Sequence, residues 1–247
     1  MTMTGYLRQL GRAMTAVEVT DGDGRAMSLD EGLERAVSIL TTQTRTGLKV
    51  MFIGNGASAA IGSHQALDYW KNGGMRAVTF NDLALLTAIS NDYSYPEVFE
   101  KPIEMFADGG DVLLAISSSG KSDNILRGAD AGRRTGCRVI TLSGFRPDNP
   151  LRSRGELNFY VPSTSYGHVE VTHLALSHTL VDTIIERRKL GAGDGTLPQQ
   201  PRADQGGLVH RARGSTSPGV SPDRGASSRR SGHPSPADMT RTATAPS

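Results

Sequence analysis

The sequence predicts a doubly wound α/β sandwich, a parallel sheet covered by helices on both faces. Three observations carry that prediction. Short strand-like segments, apolar on both faces and rich in β-branched residues, alternate with helical segments. Two of the strands run into glycine- or serine-rich turns, at the place where open parallel sheets bind ligands. The composition breaks after Leu190, which confines the fold to the residues before it.

The elements follow in order. A helix is predicted over Tyr6–Val19, then a loop over Thr20–Met27. Ser28 and Glu31 form a capping box, each satisfying the other's free backbone amide, and open a helix that runs to about Thr44. Leu48–Ile53 reads as a buried strand ending at Gly54, and Ala57–Lys71 as a helix stopped by Asn72-Gly73-Gly74. Arg76–Phe80 is a short strand and Leu83–Ser90 a helix. After a loop around Asn91–Pro96 another helix reaches Phe106. Asp111–Ile116, Arg138–Leu142 and Leu157–Val161 are strands, with a helix over Asn124–Thr135 between the first two. A last helix runs from Val169 to Lys189.

The organisation is therefore one folded domain over residues 1–190 and a tail over 191–247. From Gly191 to Ser247 there is no aromatic residue, no Ile, no Glu and no Lys, while seven of the 12 prolines fall there. Such a stretch buries too little apolar surface to offset its ordering entropy, so the tail is predicted to be disordered and dispensable. The whole chain has 27 Lys and Arg against 25 Asp and Glu, a net charge of +2. That balance argues against a nucleic-acid or anionic-lipid partner. A single cysteine, Cys137, rules out an intrachain disulfide and a Cys-built zinc site. With no apolar run of about 18 residues and no secretory h-region, the expected location is the cytoplasm.

The two unusual turns carry the chemistry. Gly54-Asn55-Gly56-Ala57-Ser58 lets the backbone approach a ligand and aims the next helix's amides at it. Ser117-Ser118-Ser119-Gly120-Lys121-Ser122 gathers four hydroxyls at a helix N-terminus, a cradle for a phosphate dianion. Each turn also matches a better-known pattern. Gly54-x-Gly56-x-x-Ala59 fits the dinucleotide fingerprint, with Asp82 as ribose acceptor, and so keeps an NAD-dependent oxidoreductase open. Ala115-x-x-x-x-Gly120-Lys121-Ser122 fits a relaxed P-loop, but no strand ends in a clean acidic residue to hold magnesium.

One reading uses both turns. With GNGAS (Gly54–Ser58), SNDYSY (Ser90–Tyr95), GDVLLAISSSGKS (Gly110–Ser122) and VITLSG (Val139–Gly144), the chain resembles the sugar isomerase (SIS) domain family over Leu29–Glu186. Within it the phosphoheptose isomerases look most similar. The resemblance implies that Ser117, Ser118, Ser119 and Ser122 hold a sugar phosphate. It places Asn55, Gly56, Ala57, Asn91, Asp92 and Glu170 against the sugar. It implies a homotetramer with sites at subunit interfaces. It also implies a divalent metal, zinc in the relatives, at His64, Asp68, Glu170 and His178. Two of those four depart from the family pattern: Asp68 is one methylene shorter than the family's Glu, and Glu170 is charged where the family has Gln. Both keep an oxygen ligand.

Helix geometry speaks to part of this. His64 and Asp68 are four residues apart, so they share a helix face, about 40° apart. From Glu170, His178 is offset by about 80° and His173 by about 60° the other way, so the two histidines cannot both aim at one site. The resemblance selects His178. His168, His173, Tyr69, Trp70 and the methionines read as packing, and Cys137 as inert.

The expected activity is an aldose–ketose isomerisation of a phosphorylated sugar, sedoheptulose 7-phosphate foremost, through an enediol. Asp68 takes the carbon-bound proton and His178 assists. The rival expectation is a non-catalytic phosphosugar-binding protein of the same family, which would not need these acid–base groups.

Overall fold

The computed structural model describes residues 2–191. The predicted tail lies outside the described residues, apart from Gly191, which closes the last helix. The elements are α1 (Met3–Thr15), β1 (Glu18–Asp21), β2 (Ala26–Met27), α2 (Leu29–Arg45), β3 (Lys49–Gly54) and α3 (Ala57–Lys71). Then come β4 (Arg76–Thr79), α4 (Leu83–Asp92), α5 (Glu100–Phe106), β5 (Val112–Ser117), α6 (Asp123–Arg134), β6 (Arg138–Gly144), β7 (Leu157–Val161) and α7 (Tyr166–Gly191). One seven-stranded sheet has the order β2-β1-β7-β6-β5-β3-β4. Its pairs from β4 to β7 are parallel.

The sandwich is legible residue by residue in β3. Val50 and Phe52 belong to one buried cluster and Met51 and Ile53 to the other, because successive side chains leave a strand on opposite faces. The first cluster takes Leu40 of α2, Ala66 and Tyr69 of α3 and Leu180 and Ile184 of α7. The second takes Ile103 of α5 and Ile125 and Ala129 of α6. All six residues of β3 and all six of β5 are buried, as strands covered on both faces must be. The Ser28–Glu31 capping box is present, with Glu31 N–H donating to Ser28 Oγ at 3.2 Å and Ser28 N–H to Glu31 Oε2 at 2.9 Å.

The predicted loop at Thr20–Met27 is instead a β-hairpin, and α1 stops at Thr15 rather than Val19. Val17 and Val19 alternate with polar residues and are buried, so a period of two wins over the helical extension. Asp21 closes the turn by accepting from the amides of Asp23 and Arg25, both at 2.9 Å. β1 then pairs antiparallel with β7, so the sheet is mixed at that edge.

Candidate active site

β3 and β5 are neighbours, and each ends in one of the two turns. Gly54 closes β3 where a Cβ would sit 2.6 Å from the Ser58 backbone, so only glycine lets α3 begin that close to the strand. Gly120 has φ of +61°, and a Cβ there would meet Asn149 Oδ1 at 2.0 Å. Asn149 is buried, and its amide donates to Ser143 Oγ, the Gly144 carbonyl and the Arg146 carbonyl. The serine turn is thus pinned to the end of β6.

The turns face one cavity of about 230 Å³. Asn55, Gly56, Ala57, Ser58, Ser117, Ser118, Ser119, Ser122, Tyr166 and Glu170 line it. Every residue expected to hold phosphate is there. Ser122 is the N-cap of α6 but makes no side-chain capping bond, so its hydroxyl is available to a ligand. α3 likewise has no side-chain cap. Two helix N-termini bare of side-chain caps beside a cluster of hydroxyls favour an anion.

The structure refines three expectations. Asn91 and Asp92 do not line this cavity; they close α4, where Asn91 Nδ2 donates to Asp92 Oδ1 at 2.9 Å. The Asn55 side chain pairs reciprocally with the Asn124 amide, two bonds of 2.9 Å, and also accepts from Tyr95 Oη at 3.0 Å. It therefore ties the glycine turn to the first turn of α6. Asp82, the candidate ribose acceptor, is the N-cap of α4 and accepts from Leu85 N–H at 2.9 Å. Sequence reasoning did not single out Ser58, Tyr166, Tyr95 or Asn124. Ser58 and Tyr95 lay within quoted motifs and had a signal; Tyr166 and Asn124 come together with the cavity only in three dimensions.

A second group lies farther along α3 and α7. Asp68 Oδ2 is 3.2 Å from His64 Nε2 and 3.8 Å from His178 Nδ1, and the two imidazoles meet edge to face with centroids 5.4 Å apart. One ligand atom from each of the three residues falls within 4.8 Å of the others. Two imidazole nitrogens and a carboxylate oxygen are the donor set of a zinc site with open positions, and also suit manganese or iron. Glu170 does not join this group among the described residues; it lines the cavity between the two turns instead. Its distance from His178 explains this: eight residues of helix are about 12 Å of rise.

The remaining histidines among the described residues are structural. His173 is fully buried, with Nε2 at 3.1 Å from the Ser143 carbonyl, and burial pushes its imidazole down to about 4, so it stays neutral at working pH. His168 is buried beneath the Tyr6 ring, centroids 4.6 Å apart. No helix among the described residues is long and apolar enough to cross a membrane.

The chain matches the SIS domain family over residues 24–144. The phosphoheptose isomerase of Aliarcobacter butzleri is 32% identical over 163 residues, covering 64% of this chain and 86% of the relative. That of Akkermansia muciniphila is 33% identical over 179 residues, covering 70% of this chain and 94% of the relative. Among solved structures, the phosphoheptose isomerase of Neisseria gonorrhoeae gives a TM-score of 0.64 at 28% identity, over 73% of this chain and 96% of that one. These likenesses, with Asp82 engaged as a helix cap, leave the oxidoreductase reading without support. The chain belongs to the SIS domain family, alongside the phosphoheptose isomerases, and is an isomerase.

Proposed function

We propose that the chain interconverts an aldose and a ketose that carry a terminal phosphate, with sedoheptulose 7-phosphate as the ketose. The observation that carries the reading is a separation. α3 and α7 both start at the phosphate cavity and both carry their acid–base groups farther along. His178 lies about 12 Å of helical rise beyond Glu170. A substrate that holds its phosphate among the serines and its carbonyl beside Asp68 must be long. A seven-carbon chain phosphorylated at its far end meets that requirement better than a triose phosphate.

The chemistry needs one group to remove a proton from the carbon beside the carbonyl and return it to the neighbouring carbon. A second group must move a proton between the two oxygens. Asp68 is the base for the carbon-bound proton: its side chain is mostly shielded, yet it faces both imidazoles. His178 is the oxygen-to-oxygen shuttle, since an imidazole donates and accepts near neutral pH. The serine turn holds the phosphate equally in ground and transition states and supplies binding energy remote from the reacting carbons. A divalent ion, zinc first, held by His64, Asp68 and His178 would polarise the substrate carbonyl.

The proposed assembly is a cytoplasmic homotetramer. Supporting it, α4 has no fully buried residue although it is rich in Leu, Ala and Ile, and its Leu83 is 75% exposed. One experiment tests the substrate. The protein is incubated with sedoheptulose 7-phosphate deuterated at C1, and the sugar is followed by NMR. Conversion with loss of deuterium to water is expected from the wild type. A bound but unchanged sugar would remove sedoheptulose 7-phosphate as the substrate.

A further inference from the structure

Asp68 and His178 sit on different helices, with His178 Nδ1 3.8 Å from Asp68 Oδ2. That is too long for a hydrogen bond, so the pair does not hold itself together. The spacing of α3 and α7 must hold it. Among the described residues a single hydrogen bond joins these two helices: Tyr69 Oη donates to the Ser177 carbonyl at 3.2 Å. Each end of that bond is the immediate chain neighbour of a member of the pair. Tyr69 follows Asp68, and Ser177 precedes His178.

The arrangement follows from helix geometry. Consecutive residues point about 100° apart, so when Asp68 stays at the rim Tyr69 turns into the core. Tyr69 is fully buried, with its ring edge to face on Phe52 at 5.1 Å. Ser177 is fully buried too. A helix carbonyl has two lone pairs, one for its own helix and one to spare, and Tyr69 takes the spare one. Asp68 has a short side chain and little reach of its own, which makes the helix spacing matter more.

We infer that Tyr69 is a positioning residue: its hydroxyl braces α3 against α7 and so sets the distance between Asp68 and His178. The inference rests on the isomerase reading above, in which that pair moves the protons.

The test is a matched pair of variants assayed on sedoheptulose 7-phosphate. Tyr69→Phe keeps the ring and removes the brace. Ser177→Ala keeps the carbonyl that accepts the brace, and removes instead the serine's own bond to the His173 carbonyl, 2.9 Å. Each variant loses one buried hydrogen bond, so their thermal midpoints should fall by similar small amounts. The kinetics should part. Tyr69→Phe should lower kcat by about ten-fold with KM unchanged, since a misplaced acid–base pair costs turnover and the phosphate site is untouched. Ser177→Ala should keep the wild-type kcat. A Tyr69→Phe enzyme with full kcat, or an equal loss in both variants, overturns the brace. A wild type that does not isomerise the sugar overturns the sedoheptulose 7-phosphate reading on which the brace rests.

Discussion

Replacing Gly120 by alanine asks the serine turn to absorb two costs at one atom. The residue sits at φ of +61°, in the left-handed region, which costs an L-residue about 1–2 kcal/mol. The new Cβ would also stand 2.0 Å from Asn149 Oδ1 and 2.4 Å from its Cγ. Asn149 cannot retreat cheaply. It is 3% exposed, donates to three oxygens of β6 and the following loop, and accepts from Arg152 N–H at 3.2 Å. Overpacking of this kind costs about 1–3 kcal/mol, so the sum is about 2–5 kcal/mol. In a domain of this size that lowers the melting midpoint by roughly 5–15 °C. The relief available is a shift of the turn away from β6, which moves Ser117–Ser122 out of register with the cavity. Thermal unfolding and steady-state kinetics on one preparation read both effects. KM for the sugar phosphate should rise more than ten-fold, as lost bonds to a charged group cost about 1.5–3 kcal/mol each. A Gly120→Ala protein with unchanged midpoint and KM would mean that Asn149 does not pin the turn and that the turn does not hold the phosphate.

Other outcomes follow from the same geometry. Ser119→Ala should raise KM and leave kcat nearly intact, with inorganic phosphate weakening as a competitive inhibitor; equal KM and unaltered inhibition would remove the serine from the phosphate site. Asp68→Asn keeps the shape and removes the base, so kcat should fall by about 10²–10⁴ and deuterium at the abstracted carbon should be retained. Washout at the wild-type rate would assign the base elsewhere. Elemental analysis of protein purified without chelator should find up to one divalent ion per chain, absent from His64→Ala; a metal-free, fully active enzyme would leave the three residues as acid–base groups alone. Asp111 is fully buried and accepts from the amides of Lys49 and Asp108 at 2.8 and 2.7 Å while pairing with Lys49 Nζ. Asp111→Ala should cost about 1–3 kcal/mol, read by denaturant titration, for each of the two amides it leaves without an acceptor, while Lys49 Nζ keeps Asp108 at 2.7 Å.

The sequence showed the sheet because β3 and β5 are buried on both faces and therefore read as unbroken apolar runs. It showed most of the cavity because eight of its ten lining residues sit in two contiguous turns, each at the end of a strand. What it hid was pairing between distant segments. The Val17–Met27 hairpin looked like the tail of a helix and a loop, since its strands are only four and two residues long and β1's partner is β7. The Asn55–Asn124 amide pair joins residues 69 apart, and nothing in either local pattern announces it. Of the expected metal set, His64 and Asp68 were secured by their spacing of four. Glu170 and His178 share a helix, but a spacing of eight stretches that pair over two turns, so the structure groups His178 with His64 and Asp68 and leaves Glu170 lining the cavity between the two turns.

The hairpin at the sheet edge also bears on the order in which the molecule can assemble. β1 finds its hydrogen-bond partner in β7, and the Asn158 amide that seals the join reaches Thr20, 138 residues away in sequence. During synthesis β1 leaves the ribosome long before β7 exists. Val17 and Val19, and the unpaired edge of β1, must wait while the parallel core from β3 to β6 condenses. Closure of so long a loop is entropically slow. The wait ends when β7 arrives and Arg152, just ahead of it, clamps Glu18 at 2.7 Å. A refolding experiment should therefore show the β1–β7 seam gaining amide protection last, after the β3–β5 ladder is already closed.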